Sequence, residues 1–217
     1  MSYTKKFTLA LVVGFIAAVP AWAQRMPQAP RMPGEFKPVV GSGAQYEVAT
    51  KKNEKVTWAY AVVGKENLEG AEGYWLEMRL EGGKMGGVVM KHLMVMRAGE
   101  AEIKRMIMQA AGQPPMEMPM GMMGGMMRRG QPAAEEKGLG EKIGTETVTV
   151  PAGTFLSDHY RTATDRTTAD VWVSPKVSPY GLVKMTSADM TMVLTKVLAN
   201  ETSQIKGEPQ KLELPHF

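Results

Sequence analysis

The chain has 217 residues, twenty methionines, no cysteine and a formal net charge of +4. The missing cysteine excludes disulfides, thiol catalysis, cysteine–zinc sites and a lipid-modified cysteine terminus. So mild a charge, with no basic stripe interleaved with aromatics, gives no reason to expect a nucleic-acid partner.

Residues 1–23 read as an export signal. Lys5 and Lys6 precede the apolar stretch Phe7 to Val19, and Ala21-Trp22-Ala23 forms a small-x-small cleavage site that leaves Gln24 as the new terminus. Thirteen apolar residues fall short of the ~20 that span a bilayer, and no second stretch of spanning length follows. The expected location is the periplasm, or beyond the cell by full secretion. Residues 24–43 form a Pro-rich lead-in with little periodicity, expected to be extended or disordered.

Residues 44–217 read as a single β-rich domain. In "EKVTWAYAVV" Val56, Trp58, Tyr60 and Val62 share one face; in "EGYWLEMRLE" Tyr74, Leu76, Met78 and Leu80 point inward while Glu77, Arg79 and Glu81 point outward. Glu69-Gly70-Ala71 is a hairpin turn between them. "GVVMKHLMVM" is apolar on both faces, which predicts a strand covered on both sides, by a helix or by a chain segment inside a curved sheet. Residues 100–111 fit either period. The alternation of "EIKRMIMQ" after Ala98-Gly99 favours a strand, and the spacing of Ile103, Met106, Ile107 and Ala110 keeps a helix open.

A methionine-rich loop occupies 113–131. Thioethers are soft ligands that suit Cu(I), so Met116, Met118, Met120, Met122, Met123, Met126 and Met127 are candidate copper ligands. As unbranched, polarizable side chains they equally suit an adaptable apolar contact. Arg128 and Arg129 beside them repel a cation but suit a lipid phosphate. A poorly ordered insertion with no ligand is the third reading. A short helix over Pro132–Lys137 precedes resumed strands: "TETVTV", the turn Pro151-Ala152-Gly153, "TFLSDHYRTA", "ADVWVS", "GLVKMT" and "DMTMVLTKVLA".

The segments "GTETVTVPAGTFLSDHYR" (144–161) and "ADVWVSPKVSPYGLVKM" (169–185) together resemble a block found in bacterial envelope proteins of the lipoprotein-carrier (LolA/LolB-like) superfamily and related secreted families. The resemblance implies a twisted antiparallel sheet forming an unclosed barrel with helices and a hydrophobic concavity. It covers about a fifth of the chain, and no functional residue carries over.

Chemistry is thinly represented. His92, His159 and His216 are the only histidines. Ser157, Asp158 and His159 cannot converge as a triad, because adjacent strand residues point to opposite faces. No nucleophile elbow, phosphate loop or zinc-protease helix is present. The sequence therefore predicts a mainly β fold, a single strongly curved antiparallel sheet or unclosed β-barrel with one or two short helices. Its expected role is non-enzymatic and cofactor-free: binding or carrying a lipid, an acyl chain or an apolar segment of a client protein. The expected lining is Trp58, Tyr60, Tyr74, Leu76, Met78, Met90 and Met94, with Arg128 and Arg129 at the loop. A copper-binding protein and a structural envelope protein without a ligand are the alternatives.

Overall fold

The computed structural model describes residues 32–51, 54–68, 70–82, 87–97, 100–119, 139–163 and 168–211. All of them belong to the unit Arg31–Phe217. The export signal, the start of the lead-in and the helix expected at Pro132–Lys137 lie outside the described residues.

Among the described residues all regular structure is strand. β1 (Gly43–Thr50), β2 (Lys55–Leu68), β3 (Ala71–Glu81), β4 (Val88–Arg97) and β5 (Glu100–Ala110) form one antiparallel meander, extended by the two-residue β6 (Met116–Glu117). β7 (Glu141–Val150), β8 (Gly153–Ala163), β9 (Thr168–Val173), β10 (Leu182–Ser187) and β11 (Met190–Leu198) form a second. The short β12 (Gln210–Lys211) pairs in parallel with β6. Pairing of β1 with β11 joins the two meanders into one sheet of order β12-β6-β5-β4-β3-β2-β1-β11-β10-β9-β8-β7. Residues 100–110 are strand, as the alternation favours.

The alternating apolar rows explain why these segments pair as they do. Tyr46 sits opposite Trp58 and Leu194, Met78 opposite Tyr60 and Met90, and Val171 opposite Met185. One core draws on both meanders: Tyr46, Trp58, Tyr60, Leu76 and Met78 from the first, Val171, Met185, Met192 and Leu194 from the second. A single sheet can bury one face against itself only by curling, which its intrinsic twist favours. Beyond the end of β9 the β7–β8 hairpin reaches back to β11, where Ala152 N donates to Leu194 O at 3.3 Å. Val148, Val150 and Phe155 thereby join the same core. β7 and β12 remain as the sheet's two edges, so the barrel is unclosed.

Part of the lead-in is anchored. Phe36 packs against Tyr180 with ring centroids 5.4 Å apart, and Lys37 N donates to Pro179 O at 2.8 Å.

The expectation that Glu77 and Arg79 face solvent is not met. Both point away from the main core, yet Glu77 is 0 % exposed and Arg79 7 %. The extended segment after β11, residues 199–206, lies over them. Ser203 Oγ donates to Glu77 Oε2 at 2.6 Å, and Gln204 N donates to the same carboxylate. Arg79 donates to Glu77, Glu201 and the carbonyl of Thr202. Burial pulls the Arg79 guanidinium down, but the bonds to Glu201 and Glu77 outweigh it and hold it above its ordinary value. Ile205 then closes a second apolar cluster with Trp75, Leu93 and Ile107. The second apolar face of β4 is covered by this C-terminal strap, on the side away from the main core, rather than by a helix or by a segment inside the curve.

Candidate functional site

The seven predicted lining residues share one face of β2, β3 and β4 and contribute to one cluster. Trp58, Tyr60, Leu76, Met78 and Met94 are buried in it, while Tyr74 and Met90 are half-buried at its border. The period-two rule brings them together: neighbours on one strand are separated by a single residue that faces the strap side, except that Met90 and Met94 have His92 on their own face between them.

The aromatic end has unusual polar chemistry. Trp58 and Tyr60 stack with centroids 6.4 Å apart, and Tyr60 meets Tyr46 at 6.3 Å and Tyr180 at 6.1 Å, both edge-on. Tyr46 Oη donates to Leu182 O at 3.0 Å. Tyr60 Oη and Trp58 Nε1 are buried without any hydrogen-bond partner among the described residues. Burial first, and then the neighbouring phenol of Tyr180, push the Tyr60 hydroxyl far above the ordinary phenol range. It stays protonated, so Tyr60 and Trp58 present two unused donors and no acceptor meets them. Burial also raises Tyr180 to about 12.

Tyr180 connects this interior to an open cleft of about 370 Å³. Gly34, Lys37, Tyr160, Ser174, Val177 and Tyr180 are among its lining residues, and none of the seven predicted residues belongs to it. The cleft exists because the lead-in lies against the β9–β10 loop. Gly34 is fixed there by close approach: a Cβ would fall 2.1 Å from Tyr180 O.

The opposite end is a methionine wing. β4 sets Met90 opposite Met108 and His92 opposite Met106, and β6 adds Met116 opposite Met108. Met118 N bonds to Met106 O at 2.9 Å, which keeps Met118 beside β5. Met108 is buried, and Met90, His92, Met106, Met116 and Met118 are half-buried. Burial pulls the His92 imidazole down to about 4, so the ring is neutral near pH 7. Of the predicted copper ligands, Met116 and Met118 lie here; Met120, Met122, Met123, Met126 and Met127, with Arg128 and Arg129, fall outside the described residues.

The other polar cluster is self-satisfied. His159 stacks on Trp172 at 4.4 Å and bonds Asp170 at 2.8 Å through Nε2, with Glu146 3.3 Å from Nδ1. Asp158 instead holds Thr145 and Lys142, and Ser157 is buried against the Phe155 carbonyl. These three side chains do not converge on one point. Among the described residues no group of three or more His, Asp or Glu could hold a metal ion, and no helix is long and apolar enough to cross a membrane.

No protein-family model and no curated protein matches this chain. Several solved structures do, at low similarity, two of which are as follows. One is described as an exported protein with a YmcC-like fold from Bacteroides fragilis: 12 % identity, TM-score 0.41, with 76 % of this chain and 99 % of that one covered. The other is described as a lipoprotein from Parabacteroides distasonis: 13 % identity, TM-score 0.38, 76 % and 98 % covered. Likeness this distant says nothing about what this chain binds, and neither structure is described as a lipoprotein carrier.

Proposed function

We propose that this chain is an exported, non-enzymatic binding protein for an apolar molecule that carries a hydrogen-bond acceptor, such as an acyl chain with its carbonyl or carboxylate. The observation that carries this reading is the pair of unpartnered donors, Trp58 Nε1 and Tyr60 Oη, inside an otherwise apolar interior. A buried donor left without an acceptor costs about 1–3 kcal/mol. Natural cores rarely hold two such groups side by side unless something else satisfies them. An acyl carbonyl would do so while its chain follows Leu76, Met78 and Met94, and the adaptability of methionine would accommodate different chain lengths. The signal-like sequence 1–23 supports action in the envelope.

The test is native mass spectrometry of the protein purified from its own envelope, paired with titration of a fluorescent fatty-acid analogue. Co-purifying lipid, and analogue binding weakened by Tyr60→Phe, are the expected results. Bare polypeptide together with no analogue binding would end this reading and leave a structural envelope role.

A further inference from the structure

We propose that the methionine wing is a Cu(I) site whose ligands are the imidazole of His92 and the thioethers of Met90 and Met106. This goes beyond the apolar-ligand reading and uses none of the aromatic donors on which that reading rests.

The first argument is register. His92 and Met106 are directly opposed across β4 and β5, which puts their Cβ atoms roughly 4.5–5.5 Å apart. Met90 lies two residues along the same strand, about 7 Å away on the same face. Side chains of this length converge on one point from such a triangle. Their shared face is fixed by the neighbours: Leu76 lies opposite His92 and Met78 opposite Met90, and both belong to the main core. Ile107, between Met106 and Met108, belongs instead to the cluster under the strap.

The second argument is the irregularity that creates the pairing. The ladder starts at Arg97–Glu100 and shifts between Leu93 and Met94. Without that bulge His92 would stand opposite Arg105, a cation that excludes a metal. With it, His92 stands opposite a thioether. Arg105 moves to the other face, where it pairs with Glu117 at 2.8 Å and lies over Trp75. Bulges that re-aim a side chain in this way are common beside functional sites.

The third argument is donor chemistry. Among the described residues nothing hydrogen-bonds the His92 ring. The set offers one neutral nitrogen and two neutral sulfurs, with no carboxylate or thiolate. It suits a soft monovalent ion and leaves Zn²⁺, Mg²⁺ and Ca²⁺ poorly served. Met108, opposite Met90, and Met116, opposite Met108, put further thioethers on the same face.

The test titrates the exported chain with Cu(I) against a competing colorimetric chelator, with X-ray absorption on the loaded protein. One equivalent should bind, with one imidazole nitrogen and two sulfurs around the metal. The double variant Met90→Leu/Met106→Leu, which keeps side-chain volume, and the variant His92→Gln should each bind at least tenfold more weakly. Thermal melts would verify that both are folded, and His92→Gln should also lose the imidazole signal. Replacing Met120, Met122, Met123, Met126 and Met127 by leucine should leave affinity unchanged. Absence of Cu(I) binding by the unmodified chain would overturn the proposal. So would unchanged affinity in the folded sheet variants, or loss of binding only in the 120–127 variant.

Discussion

Tyr46 and Tyr60 face each other in one aromatic cluster, yet their hydroxyls have opposite circumstances. Tyr46 Oη donates to the Leu182 carbonyl, whereas Tyr60 Oη has no partner. Removing the first takes a hydrogen bond from the buried Leu182 carbonyl, while removing the second relieves a buried donor. Urea unfolding of Tyr46→Phe should therefore show a loss of about 1–3 kcal/mol, and Tyr60→Phe no loss or a small gain. A Tyr60→Phe loss as large as that of Tyr46→Phe would mean the hydroxyl is satisfied and would remove the basis for an acceptor-bearing ligand. His92 gives a pH prediction of definite sign. Its folded pKa, about 4, lies below its ordinary 6.5 because burial disfavours the cation. The unfolded chain thus takes up a proton first as pH falls, and stability present above about pH 6.5 is lost progressively down to about pH 4. The full effect is roughly 2–3 kcal/mol. Carboxylates such as Asp170, held low by His159 and Arg161, lose their own contribution at more acidic pH. The difference between the unmodified protein and His92→Gln, measured from pH 7.5 to 4.5, isolates the histidine. Parallel curves would show that the ring is solvated.

Among the elements, the strap after β11 is held by two unlike anchors: the buried carboxylate of Glu77 on Ser203 and Gln204, and the side chain of Ile205 in the Trp75 cluster. Glu77→Ala would leave the buried Arg79 guanidinium with Glu201 and the Thr202 carbonyl alone and should cost about 3–5 kcal/mol. Ile205→Ala should cost about 2–4 kcal/mol. If the strap docks as a unit, the double variant should cost clearly less than the two together, because a released strap has no second contact to lose. Strict additivity in a urea double-mutant cycle would show that the two anchors hold independently. The strap also shows where sequence reading stops. Strands β2, β3 and β4 are legible because their apolar rows alternate, and the double-faced apolar pattern of β4 announced a covering segment. Residues 199–206, with little apolar content besides Ile205, carry no period to identify them as that cover. Glu77 and Arg79 look like ordinary solvent-facing charges until their partners from far along the chain arrive. The aromatic row was legible for the same reason as the strands. The methionine wing was legible only in part: the alternation sets His92 on the face of Met90 and Met94, but its opposition to Met106 depends on a bulge that leaves no mark in the alternation.

For the molecule as a whole, the two meanders cannot be stable separately in any simple way. β1 and β11 pair along their whole lengths across about 150 residues of intervening chain, and the core that β2 and β3 need is completed by Leu182, Met185, Met192 and Leu194 from the second meander. A sheet that buries its face only by curling on itself exposes that face in both halves as soon as the β1–β11 ladder opens. Unfolding should therefore be a single transition, with both halves lost together. Folding should be slow for the size of the chain, because this long loop closes before its contacts contribute. The tryptophans make this measurable. Trp75 reports on the first meander beneath the strap, and Trp172 reports on the second, stacked on His159. Variants that keep only one of these two among the described tryptophans, the others replaced by phenylalanine, should give the same urea midpoint once corrected for the stability change of each replacement. An earlier midpoint for Trp172 alone would show that the second meander opens while the first survives. The β1–β11 pairing would then be a joint between two separately closed units, and the core the two meanders share would not be one cooperative whole.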